Sequence, residues 1–176
     1  MKKLTVIVML IGAMSSFSTG SGEMIREIGQ EQQTKIYYDI PLDQDMQDKI
    51  RESCEETDID MTMVFAIIEK ESGYNSDAVG DGENSFGLMQ IQPRWHADRM
   101  DKLGVSNLLD PYQNVEVGID ILCELSSKEK GDYWTLMAYN GGEQMADKNA
   151  QNATVTPYAA EVKQIQERIE SSAYAA

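Results

Sequence analysis

The chain predicts a mostly α-helical domain, and three features carry that expectation. Apolar residues recur at i, i+3 and i+4 in several segments. Asp110-Pro111 and Thr156-Pro157 each pair a capping oxygen with a proline at the first helical position. Almost no stretch alternates apolar and polar residues as a sheet would. With 176 residues, 41% of them hydrophobic, the chain matches about one domain of roughly 150 residues with a core of its own.

The first 20 residues have the layout of a secretory signal peptide. Lys2 and Lys3 precede an apolar run from Leu4 to Met14, and small polar residues lead to a cleavage site near Gly20. The run is too short to span a bilayer, so no stable membrane insertion is expected after processing. Residues 21–40 are polar and Gln-rich and read as a flexible arm. The domain is expected to occupy residues 41–176 with four or five helices. The first covers about residues 42–56 on the stripe Met46, Ile50, Cys54. A second follows the N-cap Asp60 to Ser72 and stops at Gly73. Residues 73–93, with Gly80, Gly82 and Gly87, read as a loop or short hairpin.

The third helix starts at Asp110-Pro111 and runs to about Ser126, with Val115, Gly118, Ile119 and Leu122 on one face. Glycine within that stripe implies close approach of a neighbouring helix. A fourth covers residues 133–139 and stops at Gly141-Gly142, and the last begins at Thr156-Pro157 and turns Tyr158, Val162, Ile165 and Ile169 inward.

Charge restricts the partners. The formal net charge is −15, and loss of Lys2 and Lys3 leaves 13 basic against 30 acidic side chains, or −17. No phosphate-neutralising patch exists, so nucleic acid is not an expected partner. The same field repels anionic wall polymers, so recognition of an envelope substrate must come from a shaped groove. One histidine and no cysteine cluster argue against a zinc site, and neither metal nor cofactor is expected. Cys54 and Cys123 are equally compatible with a bridge and with two thiols.

The residue that breaks the pattern is Glu71. Val64, Ile67 and Ile68 form a helical stripe whose next position, i+7, is this acid. Gly73 just beyond puts it in the last turn, where unpaired carbonyls make the local potential negative. Burial and the helix dipole both disfavour the anion, and a carboxylic acid kept protonated near neutral pH suits general-acid chemistry on a glycosidic bond. The competing reading is an acid that turns outward or pairs with Arg94 or Arg99. Glu69 lies about 200° away on the helical wheel, on the expected polar face.

Four ordered blocks between about Ile50 and Val162 go further: Glu71-Ser72-Gly73-Tyr74-Asn75, Gly87-Leu88-Met89-Gln90-Ile91-Gln92-Pro93, Asp110-Pro111 with Asn114 and Gly118, and Ala138-Tyr139-Asn140-Gly141-Gly142. In these the chain resembles the catalytic domain of the soluble lytic transglycosylases, relatives of goose-type lysozyme. The resemblance implies a lysozyme-like α-helical domain with a catalytic groove, cleaving the β-1,4 bond between N-acetylmuramic acid and N-acetylglucosamine in peptidoglycan. It implies Glu71 as the catalytic acid/base and a 1,6-anhydromuramic acid product.

By the same resemblance Gln90 lines the sugar groove, with Ser85 and Gln92 as further contacts, while Ala138, Tyr139 and Asn140 form the opposite wall and Tyr158 stands near the catalytic carboxyl. Asn140 reads first as a helix-end cap, a role that can coexist with a ligand contact. The chain departs from the family in two places: Gln92 stands where methionine is frequent, and the turn 81–86 is longer than usual. Trp95 reads as packing ahead of a sugar platform, and His96 is given no catalytic role. The alternatives are a lysozyme-type hydrolase, with Asp77, Asp81 or Glu83 positioning water, and a noncatalytic glycan-binding assembly protein. A monomer in the cell envelope or secreted is expected, with glycan strands as partner and an envelope machine as a further one.

Overall fold

The computed structural model describes residues 34–175, so the expected signal peptide and most of the expected arm lie outside the described residues. Within them the chain runs β1 (Ile36–Tyr38), α1 (Gln44–Glu55), α2 (Met61–Ser72), β2 (Val79–Gly80), β3 (Ser85–Phe86), α3 (Pro93–Leu103), α4 (Pro111–Ser126), α5 (Asp132–Gly141), α6 (Glu143–Gln151), α7 (Pro157–Glu170) and β4 (Ala173–Ala175).

The caps read from the sequence form as oxygen acceptors. The side chains of Asp60, Asp110 and Thr156 each accept a backbone N–H in the first turn of α2, α4 and α7, and Asp43, which the sequence reading did not name, does the same for α1. Gly73 ends α2 in the left-handed conformation, at φ 58°.

Helix α2 is the centre of the core, and it is buried on every side. Val64, Phe65, Ala66, Ile67 and Ile68 are all fully buried, so the helix has no polar face until its last turn, in contrast to the stripe the sequence implies. Each large apolar side chain there is worth about 1.5–3 kcal/mol of burial. Helix α7 lies antiparallel against α2. Gln166 Nε2 donates to Thr62 Oγ1 at 3.0 Å near one end, and Lys70 pairs with Glu161 near the other. Glu69 is held between the Arg168 guanidinium and the Tyr74 hydroxyl, which donates at 2.9 Å.

Seven helices are present among the described residues rather than four or five. The two extra ones, α3 and α6, lie on the surface: α3 buries no residue fully and α6 only Ala146. Trp134 Nε1 of α5 donates to Asp147 of α6 at 2.8 Å and ties the two together. The end of the expected arm also belongs to the domain. Residues 36–38 pair antiparallel with 173–175, and Tyr37 is buried. Cys54 is buried and Cys123 half-buried, and no disulfide joins the two, which decides between the two open readings.

Gly118 on α4 does make room for a neighbour, but the neighbour is a side chain from the glycine-rich loop and not a helix. A Cβ at 118 would lie 2.1 Å from Met89 Sδ. That loop is held by Asn114, fully buried on α4. Its Nδ2 donates to Phe86 O and Leu108 O, and its Oδ1 accepts from Met89 N, all at 2.8 Å.

Candidate active site

A groove of about 1200 Å³ opens beside the end of α2. It is bounded by Glu71, the β2–β3 hairpin and the loop after it, the outer face of α3, part of α4, and the end of α5. Of the residues predicted from the sequence, Glu71, Ser85, Gln90, Gln92, Ala138, Tyr139 and Asn140 all line it. Tyr158 is not a lining residue. It stands behind the acid, because the Thr156 cap starts α7 so that Tyr158 enters the interface with α2.

The Tyr158 hydroxyl donates to Glu71 Oε1 at 2.6 Å. Among the described residues no cation pairs with this carboxyl: Arg94 donates to Gln92, and Arg99 is held by Asp120 and Glu124. Burial pushes the Glu71 pKa above 4.5, while the Tyr158 hydrogen bond and the charge of Lys70 oppose the rise. Tyr158 itself is raised well beyond the usual phenol range, first by burial and then by the charge of Glu71. It therefore stays a neutral donor at any working pH.

The groove wall divides into side chains that hold the frame and side chains that face the cleft. Tyr139 Oη donates to Met89 O at 2.8 Å, so what it offers a ligand is its ring and the oxygen lone pairs. Gln90 Nε2 donates to Ala78 O and Gly87 O, at 3.1 and 3.0 Å, fastening the loop under the groove. Ser85 is buried, and its hydroxyl accepts from Gln92 Nε2 at 3.1 Å. Gln92 Nε2 also donates to Asp81 Oδ2 at 2.9 Å, and its Oε1 accepts from Arg94 at 3.0 Å. Asn140 is exposed, and no hydrogen bond among the described residues engages its side chain, so its amide is open to the groove.

Helix α3 contributes what the sequence reading missed. Trp95 is 69% exposed on the groove, not packed in the core. His96 also lines the groove and leaves helical geometry at φ −127°. Its Nδ1 lies 2.9 Å from Arg99 Nη1, and burial followed by the Arg99 charge lowers its pKa below 6.5. The ring is thus neutral and accepts from the guanidinium. The available signal was an aromatic directly after the groove loop, on a segment whose core-packed apolar residues are Met100 and Leu103. Among the described residues no cluster of three or more acidic, histidine or cysteine side chains could hold a metal ion, and no helix is long and apolar enough to cross a membrane.

A family model described as the transglycosylase SLT domain matches residues 48–161. A transglycosylase of Enterobacteria phage PRD1 is 32% identical over 92 residues, covering 52% of this chain and 33% of the relative. Protein IpgF of Shigella flexneri is 31% identical over 94 residues, covering 50% of this chain and 61% of the relative. The match spans less than two thirds of either relative's length.

Among solved structures, an inactive mutant of lytic transglycosylase Slt from Pseudomonas aeruginosa superposes with a TM-score of 0.53 at 20% identity, over 69% of this chain and 22% of that one. The 70 kDa soluble lytic transglycosylase of Escherichia coli gives 0.53 at 19% identity, over 71% and 22%. The complex of a 70 kDa soluble lytic transglycosylase with bulgecin A gives 0.54 at 20% identity, over 73% and 22%. These likenesses carry the fold, the mostly α, lysozyme-like one that the sequence implied.

Proposed function

Because the chain belongs to the transglycosylase SLT domain family, we propose that it is a peptidoglycan lytic transglycosylase with Glu71 as its acid and base. One observation carries this reading: a carboxyl group on a groove, its pKa raised by burial, with a neutral phenol 2.6 Å away and, among the described residues, no cation paired to it. In the proposed reaction Glu71 donates its proton to the glycosidic oxygen between N-acetylmuramic acid and N-acetylglucosamine as that bond breaks. The carboxylate left behind accepts the Tyr158 hydrogen bond. It then takes the proton from the C6 hydroxyl of the muramic acid ring as that oxygen attacks C1, closing the 1,6-anhydro ring and restoring the acid.

Water is not consumed. The nucleophile belongs to the substrate and is already close to C1, which gives it a high effective concentration without a second enzyme carboxylate. Of the acids a hydrolase would draw on to position water, Asp81 lines the groove but accepts from Gln92, while Asp77 and Glu83 are exposed and do not line it. This supports the transglycosylase over the hydrolase.

The substrate-contact set we assign is Ser85, Gln90, Gln92, Ala138, Tyr139 and Asn140, with Tyr158 positioning the acid. Residues 1–20 serve as the export signal in this reading, so the enzyme acts in the cell envelope or outside it. Mass spectrometry of muropeptides released from purified peptidoglycan tests the proposal. Wild type releases anhydromuramic products and Glu71→Gln releases none. Reducing-end muramic acid from wild type refutes the transglycosylase assignment, and undiminished release by Glu71→Gln refutes the role of Glu71.

A further inference from the structure

The two departures from the family pattern, the turn that carries Asp81 and the glutamine at 92, meet in the structure and lead to a third residue. Gln92 Nε2 bridges Asp81 in the turn and Ser85 in β3, and Gln92 Oε1 accepts from Arg94. The Arg94 guanidinium in turn lies over the Trp95 ring, 4.9 Å from its centroid. A chain of polar contacts thus runs from the hairpin to an indole that is 69% exposed and lines the same groove as Glu71.

An exposed indole of this size stands in contrast to Trp134, which is 2% exposed with its Nε1 hydrogen-bonded to Asp147. One face of Trp95 is occupied by Arg94, and exposure of this extent requires that the other be open. An open, electron-rich aromatic face beside a polar groove matches the apolar C–H face of a pyranose ring, while the surrounding polar groups meet its hydroxyls.

Resting on the saccharide reading of the groove, we infer that Trp95 is a stacking platform for one sugar ring of the bound glycan, and that Gln92 and Arg94 hold it in place. Trp95 is a specificity-determining contact here, and Gln92 and Arg94 are positioning residues. The proton transfers at Glu71 are unchanged by this assignment.

Trp95 and Trp134 are the two tryptophans in the chain, so fluorescence reports on the proposal directly. The non-cleaving Glu71→Gln protein is titrated with a tetrasaccharide alternating N-acetylglucosamine and N-acetylmuramic acid, with calorimetry for affinity and acrylamide quenching for indole access. The expected results are a blue shift and protection from acrylamide on binding. Trp95→Ala in the same background weakens binding about tenfold, or about 1.4 kcal/mol, while Trp95→Phe recovers most of the affinity. Gln92→Met, which cuts the links to Asp81, Ser85 and Arg94, gives partial loss with reduced protection of the indole.

Unaltered affinity in Trp95→Ala, or binding that leaves quenching unchanged, overturns the platform and leaves the proposed function standing. If no saccharide binds to the Glu71→Gln protein and wild type releases no anhydromuropeptides, the platform and the proposed function both fall.

Discussion

Replacing Asn114 with alanine tests whether one buried amide holds the groove loop. Its three hydrogen bonds, each 2.8 Å long, fasten Phe86 and Met89 of the loop and Leu108 to α4. Truncation leaves one N–H and two carbonyls without these partners inside the protein. At about 1 kcal/mol net per bond the loss is about 3 kcal/mol, which lowers the Tm of a domain of this size by roughly 10 °C.

Thermal unfolding followed by circular dichroism reads the stability, and hydrogen exchange at the Met89 amide reads the local effect. Asn114→Asp is a sharper version, since the introduced carboxylate directs an acceptor at carbonyls where an N–H₂ group stood. Its deficit is smallest at acid pH, where the group is neutral, and grows as pH rises through the ordinary carboxyl range. A loss below about 1 kcal/mol for Asn114→Ala, with Met89 protection unchanged, would refute the clamp.

Two further predictions concern the acid. The folded protein favours the neutral form of Glu71, so wild type loses stability as pH rises from the ordinary carboxyl value through the raised one. Glu71→Gln therefore melts above wild type near pH 7, with a gap that closes on acidification; a gap independent of pH in melting curves contradicts the desolvation argument. Tyr158→Phe removes the donor that favours the carboxylate while keeping the ring, so the alkaline fall of lytic activity moves to higher pH and the maximal rate drops. A pH–rate profile whose alkaline limb stays in place, or moves to lower pH, rules out Tyr158 as the group that orients and stabilises Glu71.

Sequence patterning carried the helices that bury a face and missed those that do not. Helix α4 announces itself with Asp110-Pro111 and an apolar stripe, and the structure uses both. Helix α3 starts at Pro93 without a side-chain cap and fully buries none of its residues, and α6 follows an uncapped glycine. Each has only a short apolar edge, Met100 and Leu103 on α3 and Met145 and Ala146 on α6, because packing demands little of a helix that lies on the surface. Glu71 was legible because an acid interrupted an apolar run, and Tyr158 because α7 turns it inward. Trp95 was not legible: exposure is a tertiary property, and an isolated aromatic fits a core and a binding surface equally well. Gly118 was legible as a close approach, but nothing local names Met89 as the partner 29 positions earlier in the chain.

The short pairing of β1 with β4 determines how the domain carries load. Ile36 faces Ala175 and Tyr38 faces Ala173, so the start of β1 and the end of β4 lie side by side at one end of the ladder. Tension applied between those ends opens the ladder one residue pair at a time, as a zipper, and does not shear it as a block. The β1 end is also tied directly to α1, where Arg51 donates to Ile36 O and Gln47 bonds both the N–H and the carbonyl of Tyr38, so α1 shares the load from the first pair onward. The same adjacency makes the domain easy to graft: joining the two ends with a short loop and opening a new terminus elsewhere yields a permuted chain with the groove intact.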